Sequence, residues 1–382
     1  MLPEAIAAWA DEAARVGNAS SLHTSGRHAR RVVEESRETL AAVLGATPAE
    51  VVFTGGGTEA DNLAIKGLYW ARRAEDDRRR RVLVSAVEHH AVLDPAQWLA
   101  DHEGAELVVL PVDDLGRLDL DGLRAAIESD PVSVALVSLM WANNEVGTIQ
   151  PVAEAAAIAH EFDVPLHCDA VQAVAHLPVD LAGHGVDAMT VSAHKLGGPQ
   201  GTGALLARRG LSLTPVLHGG GQERSARSGT LDVPSVRAFA VAAEVARQRR
   251  PEVSERLAKL RARVVEQVQL AVPDAVLRGD PDPAGRLPGN AHLTFPGCEG
   301  DSLLYLLDAR GVECSTGSAC QAGVPQPSHV LLAMGVSPVD ARGALRFSLG
   351  WSSTEDDVTA LAEAIGPAAA RARRAGLAAG RR

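Results

Sequence analysis

The stretch MTVSAHKLGGPQGTGAL (189–205) sets Lys195 at the end of an apolar run that then gives way to glycine. An amine at the end of a buried strand is costly to desolvate without a charged or covalent partner, so this lysine calls for one. Other apolar runs end in polar residues that would complete a reaction centre. Asp169 in HCDAVQ stands where an unpaired carboxylate is expensive. In TGGGTEADNLAIK, glycines let backbone amides approach an anion, and Thr58 opens a helix whose dipole favours phosphate. EHHAV supplies His89 and His90, and ANNEVG supplies Asn143 and Asn144. Taken singly, each has an ordinary alternative: a plain glycine turn capped by Thr58, satisfied structural histidines, asparagines that form turns. Taken together they meet the needs of pyridoxal phosphate. That cofactor requires a lysine for a Schiff base and a carboxylate that keeps its pyridine nitrogen protonated. It also requires an imidazole or aromatic face against the ring, and amides and hydroxyls for its phosphate.

The elements that must position these residues alternate along the chain. Strand-like runs EVVFT (50–54), RVLVSAV (81–87), AELVVLPV (105–112), VSVALVSLM (132–140), VPLHCDA (164–170) and AMTVSA (188–193) are separated by helical patterns such as TEADNLAIKGLYWARRA, LDGLRAAIES and VAEAAAIAHEF. This predicts an α/β domain with a mostly parallel sheet, in which ligands collect at the C-terminal ends of the strands. The interval from Asp169 to Lys195 holds one helical segment and one strand, which brings both side chains to the same sheet edge. Near Pro251 a long charged helix is predicted to begin, followed by RGDPDPAGRLPGN and shorter strand-like pieces. The domain boundaries predicted are a large domain over 1–250 and a smaller α+β C-terminal domain over 251–382. No internal repeat of fixed period is visible.

Composition narrows the class. The chain has 382 residues, 46% hydrophobic and 22% charged, which fits a globular protein of about two domains and excludes disorder. A net charge of -11 makes nucleic acid a poor partner, and the basic runs at 78–81 and in the tail RARRAGLAAGRR read as solvated surface. No stretch approaches the length of a membrane span, and the N-terminal MLPEAIAAWADEAARV carries acids where a secretory signal carries bases. A cytoplasmic location is therefore expected. Cys168, Cys298, Cys314 and Cys320 lack C-x-x-C or zinc-ribbon spacing, so they read as reduced thiols with no structural metal site.

From about Gly17 to about Glu355 the chain resembles the cysteine desulfurases of the class V aminotransferase family, NifS/IscS-like members of the fold-type I pyridoxal phosphate enzymes. The pieces that carry the likeness are FTGGGTEADNLAIKG, VEHHAVLD, NNEVGTIQP, HCDAVQ, SAHKLGGPQGTGAL, HGGGQERSARSGT, CSTGSACQAG and LRFSLG. The resemblance implies a large domain with a mostly parallel seven-stranded sheet and a smaller domain bearing the catalytic cysteine loop. It implies Lys195 as the Schiff-base lysine, Asp169 as partner of the pyridine nitrogen and His89 stacked on the ring. Gln172 and Asn144 would contact the phenolic oxygen or the substrate. Thr58, Ser192 and His194 match the phosphate positions, and Thr230 the residue that reaches the neighbouring subunit's phosphate. Arg346 matches the residue that grips the substrate carboxylate, a task suited to a bidentate guanidinium.

Cys320 separates a desulfurase from other members of the class. Its surroundings, STGSACQAGVPQPSH, are small and polar, a composition that argues for a mobile loop able to collect sulfur in one site and deliver it in another. The length of that segment before VLLAMG resembles the long-loop branch of the family, associated with general sulfur supply. Cys314 reads as a structural thiol, and Cys168 and Cys298 as packing residues. The implied reaction converts L-cysteine to L-alanine and a persulfide on Cys320, with His89 a candidate for the proton transfers around sulfur. Implied partners are a second copy of the chain and a sulfur acceptor, either an iron–sulfur scaffold protein or a tRNA-thiolating enzyme. No metal site is assigned, although Cys320 is also a candidate transient ligand of an iron–sulfur cluster. Family members carry a short strand and an ATTP-like segment ahead of the position where this chain starts with MLPEAIAAW. The competing readings are a selenocysteine lyase or aminotransferase of the same class, a non-catalytic scaffold of the same fold, and a nucleotide-binding α/β protein. The last lacks both a G-x-x-x-x-G-K-[ST] loop and a convincing G-x-G-x-x-G.

Overall fold

A computed structural model describes residues 1–316 and 327–379. The chain divides into two compact units, one of Met1–Leu110, Asp119–Trp141 and Gln150–Arg250, the other of Pro111–Leu118, Ala142–Ile149 and the chain from Pro251 onward. Two short stretches inside 1–250 thus belong with the C-terminal part. Hydrogen bonding holds them there: Ile149 donates its N–H to the Gly285 carbonyl at 2.9 Å, and Leu287 donates to Gly147 at 2.8 Å.

The first unit opens with α1 (Pro3–Ala13) and α2 (Thr24–Val43). It continues with β1 (Val51–Thr54), α3 (Gly57–Glu75), β2 (Arg81–Ser85), α4 (His90–Glu103), β3 (Glu106–Leu110), α5 (Leu120–Glu128), β4 (Val134–Ser138), α6 (Val152–Glu161), β5 (Leu166–Asp169), β6 (Ala188–Ser192) and β7 (Gly203–Ala207). Its seven strands lie in the order β1-β7-β6-β5-β4-β2-β3. β3, β2, β4, β5 and β6 run parallel, and β7 is antiparallel to both β6 and β1. β2, β4, β5 and β6 are buried at every position, which is why they read as unbroken apolar runs rather than alternating ones. α3 covers one face: Ala60, Ala64 and Leu68, with Leu63 and Ile65, form a stripe at helical spacing that packs on Val84, Leu136, Ala188 and Leu205.

The second unit is built on an antiparallel sheet of β8 (Val276–Leu277), β9 (Asn290–Thr294) and β10 (Ala344–Ser348), in the order β10-β9-β8. Leu257, Leu260, Val264 and Val268 pack with Leu293, Phe295, Phe347 and Ile365 to form its core. No helix among the described residues is long and apolar enough to cross a membrane.

Three details differ from the sequence expectation. The long helix does not begin at Pro251 but runs from Val233 to Ala271 with that proline inside it. The alanine-rich segment ahead of it is a strong helix former and buries Val236, Phe239, Ala240 and Ala243, so the helix persists although the proline has no N–H to donate. No helix lies between β5 and β6, where Pro178, Gly183 and Gly185 break the pattern and the chain crosses in turns. Finally, GALLA, which follows the glycines after Lys195, is the seventh strand.

Candidate active site

Adjacent parallel strands set the spacing of the two residues that matter most. β5 and β6 pair Asp169 with Thr190, and β6 runs on to Ser192 before a single turn of 3-10 helix, Ala193–Leu196, carries His194 and Lys195. That turn ends at Gly197 with φ of +81°, a left-handed conformation natural to glycine. Lys195 therefore stands three residues beyond the buried strand and is exposed, so the desolvation cost anticipated for it is not incurred. Asp169 is only 6% exposed, and its Oδ1 accepts the Val171 N–H at 2.9 Å. Burial raises its pKa to about 6, and the Val171 hydrogen bond and the Lys195 cation hold it from going higher. The two groups are electrostatic partners.

An anion cradle adjoins them. After β1 the chain turns through Gly56, with φ of +138°, into α3, whose first amides have no partner within the helix. A Cβ on Gly57 would lie 3.1 Å from Val171 Cγ2 and 3.4 Å from Ser192 Cβ, which places the start of α3 against the end of β6. A Cβ on Gly203 would come within 2.7 Å of the Gly56 carbonyl carbon, so β7 passes this turn at a distance only glycine allows. Ser192 Oγ and His194 Nδ1 are 2.9 Å apart, and burial and the neighbouring Lys195 charge lower the histidine's pKa. Thr58 is exposed at the start of the helix and shares an open cavity of about 400 Å³ with His89, Asn62 and Trp98. His89 caps α4: its Nδ1 accepts the Ala91 N–H at 3.0 Å, which leaves Nε2 to carry a proton. Gln172 is half-buried in the turn after β5.

Thr230 is exposed on a loop tied to the same sheet. Glu223 receives both Nη atoms of Arg37, at 2.8 and 2.7 Å, and the Phe53 N–H at 2.8 Å, all buried. Glu59, next to Thr58, pairs with Arg227 at 2.8 Å. Neither tie was visible in the sequence, where the partners lie more than a hundred residues apart.

In the second unit, Arg346 on β10 donates from Nη1 to the Asn144 carbonyl at 2.8 Å and from Nη2 to Ser315 Oγ at 3.4 Å, and its buried Nε has no hydrogen-bond partner among the described residues. Burial lowers the Arg346 pKa, with Glu145 opposing. Ser328, which caps the helix His329–Ala333, donates to Glu145 Oε2 at 2.5 Å. Cys320 lies outside the described residues. The three described cysteines are poor nucleophiles: burial pushes the Cys314 thiol up to about 11, raises Cys298, and raises Cys168 well above its ordinary value.

The first unit's residues fit pyridoxal phosphate on their own chemistry. An amine and a buried carboxylate are paired at adjoining strand ends, and helix-terminal amides beside Ser192 and His194 suit a phosphate. Among the described residues no cluster of three or more His, Cys, Asp or Glu suits a metal.

Fold and site together define a fold-type I pyridoxal phosphate enzyme. The model of the aminotransferase class-V family matches residues 2–361. The chain is 58% identical over 379 residues, 99% of its own length and 96% of the relative's, to an IscS-like cysteine desulfurase of Mycobacterium tuberculosis. Among solved structures it resembles a NifS-like protein, with a TM-score of 0.88 and 34% identity, covering 96% of this chain and 95% of that one. It also resembles SspA in complex with cysteine, with a TM-score of 0.75 and 29% identity, covering 91% of this chain and 95% of that one. The chain belongs to the cysteine desulfurases of the class V aminotransferase family.

Proposed function

We propose that this desulfurase takes sulfur from L-cysteine, releases L-alanine and holds the sulfur as a persulfide on Cys320. The observation that carries the reading is the Asp169–Lys195 pair at adjoining strand ends, beside the cradle of Gly57, Thr58, Ser192 and His194. Lys195 binds the cofactor, Asp169 holds its ring nitrogen, and His89 covers its ring. Thr58, Ser192 and His194 hold its phosphate, and Gln172 and Asn144 contact its phenolic oxygen or the substrate. When bound, pyridoxal phosphate supplies an electron sink for the pair left at the substrate Cα.

The chain's own residues do the rest. With a pKa near 6, Asp169 is an anion at neutral pH and can face a ring-nitrogen cation. The Lys195 amine takes the Cα proton, and His89 Nε2–H serves the proton transfers at sulfur, a role supported by the Ala91 N–H on Nδ1. Arg346 takes the substrate carboxylate, a role supported by its unpaired Nε–H. The Cys320 thiolate then attacks the substrate sulfur: an S–S bond forms, the Cβ–S bond breaks, and its electron pair stays with the carbon fragment that takes a proton and leaves as alanine. Raised pKa values at Cys168, Cys298 and Cys314 support Cys320 as the reacting thiol.

A homodimer in the cytoplasm, with Thr230 reaching the neighbouring subunit's phosphate, and a scaffold protein or tRNA-thiolating enzyme as sulfur acceptor complete the reading. The deciding experiment measures alanine and sulfide from L-cysteine with a dithiol reductant, for the parent and Cys320→Ser at equal cofactor content. Equal yields from the parent with both lost in the variant are expected. A fully active variant would remove Cys320 from the reaction.

A further inference from the structure

Beneath the strand ends lies a polar layer that this chemistry does not use. Asp61 belongs to the inward face of α3 and is 1% exposed, next to Ala60 of the apolar stripe that packs on the sheet. Its carboxyl is hydrogen-bonded with Thr190, and its Oδ1 stands 3.6 Å from Nε2 of the fully buried His167. The His167 ring bridges Thr190 Oγ1 at 3.0 Å and Ser138 Oγ at 2.9 Å. Thr190 is also the ladder partner of Asp169, so Asp61 approaches Asp169 from the helix while the buried Glu88, accepting the Met140 N–H at 2.6 Å, approaches from the segment after β2.

Three buried carboxyl groups therefore act on one another across this layer. The titratable groups acting there are the three acids themselves, His167, the Cys168 thiol and Lys195, and the cation acts on Asp169. Among the described residues Asp61 has no ion pair with lysine or arginine; the basic group beside it is His167, which burial keeps neutral by lowering its pKa to about 3. A second bare carboxylate beside Asp169 would be repelled and undersolvated. A protonated one completes a chain of neutral donors and acceptors through Thr190 and His167 to Ser138.

We propose that Asp61 is a positioning residue that stands as a neutral carboxylic acid under Asp169 and confines the layer's negative charge to Asp169, where the ring nitrogen of the cofactor needs it. The inference rests on the reading of Asp169 given above. Its first tests use the apoprotein, so that they stand or fall independently of that reading. Infrared difference spectra at neutral pH are expected to show the carbonyl band of a protonated acid that Asp61→Asn removes. An acid that keeps its proton only in the folded state raises the unfolding constant by up to tenfold per pH unit above its ordinary range. Urea titrations between about pH 6.5 and 7.5 are expected to show Asp61→Asn losing one such factor, a change that a purely steric role would not produce.

On loading with pyridoxal phosphate, Asp61→Asn, neutral like the acid it replaces, is expected to keep the cofactor dissociation constant within about threefold of the parent, while Asp169→Asn raises it tenfold or more. An unchanged carbonyl band and pH slope in Asp61→Asn would overturn the proposal. So would a shift of one pH unit or more in the titration of the bound cofactor's absorbance, because it would mean that a real charge had been removed.

Discussion

The first unit buries carboxyl groups beside its strand ends, and the second buries guanidinium groups beside its three-stranded sheet. Burial pushes Asp169 up to about 6, and burial with the repulsion of neighbouring acids pushes Glu88 up to about 8 and raises Asp61 well above the ordinary range. An acid in such a place can shed its charge by keeping a proton. Arg286, among the largest fully buried side chains, has no such exit at neutral pH, and burial lowers its pKa only to about 10. It stays charged and turns its donors to backbone oxygens: Nε donates to the Asp280 carbonyl at 2.6 Å, Nη1 to Asn290 at 3.5 Å and Nη2 to the Arg278 carbonyl. Arg261 likewise donates to the Leu287 carbonyl at 3.1 Å. His292 is forced neutral, its pKa lowered to about 3 by burial and by the charges of Arg346, Arg286 and Arg278. The acids beside Asp169 are thus managed by protons and Arg286 and Arg261 by carbonyls, whereas the buried Arg37 and Glu223 of the first unit answer each other.

The largest test of this contrast removes the acid at the strand ends that must keep its charge. Asp169→Asn is expected to lower kcat/KM for L-cysteine by about a thousandfold, roughly 4 kcal/mol of transition-state stabilisation, with the fold intact by circular dichroism. A loss under tenfold would show that the anion is dispensable. Next comes Arg286→Met, which strands carbonyls that the guanidinium satisfied. Urea unfolding should report a loss of about 3 kcal/mol, against about 1 kcal/mol or less for Asp61→Asn. Equal costs would erase the asymmetry between the units. Arg346→Lys keeps the charge but not the fork, and kcat/KM should fall ten- to a hundredfold, about 1.4 to 2.8 kcal/mol, mostly through KM.

The smallest effect is in pH dependence. Glu88 keeps its proton to about pH 8 when folded, against an ordinary 4.5, so the folded state holds the extra proton and stability falls as pH rises toward 8. His167 and His292, lowered from 6.5 to about 3, contribute with the opposite sign and only below about pH 6.5. Between about 6.5 and 7.5 the acids act unopposed by these histidines. The apoprotein should lose about 1.4 kcal/mol per pH unit for each such acid, and Glu88→Gln should remove one share. A slope unchanged in that variant would mean that Glu88 is already ionised.

Much of this was legible in the sequence, and what was not has a common cause. Six strands and the residues at their ends announce themselves through apolar runs that stop at polar punctuation, a local signal. β7 was hidden because GALLA is short and follows glycines that read as loop. Asp61 and Glu88 were in plain view within TEADN and VEHH, yet an acid in the first turns of a helix or after a strand is ordinarily solvated. Only the ladder that sets Thr190 beside Asp169, and the packing of α3 over it, reveal that these acids are dry. The Arg37–Glu223 pair was invisible for the same reason, since 186 residues separate its members.

The crossing between β5 and β6 has a consequence for how this architecture can vary. Asp169 and Lys195 are joined by turns rather than by a packed helix: the pairing of β5 with β6 sets Asp169 beside Thr190, and the 3-10 turn after Ser192 carries Lys195. The start of the crossing is fixed, because Val171 donates to Asp169 and Ala173, Val174 and Leu181 are buried, but its tip at Ala182 and Gly183 is exposed and can take on new surface. Residues added at that tip would leave the carboxylate and the amine where they are.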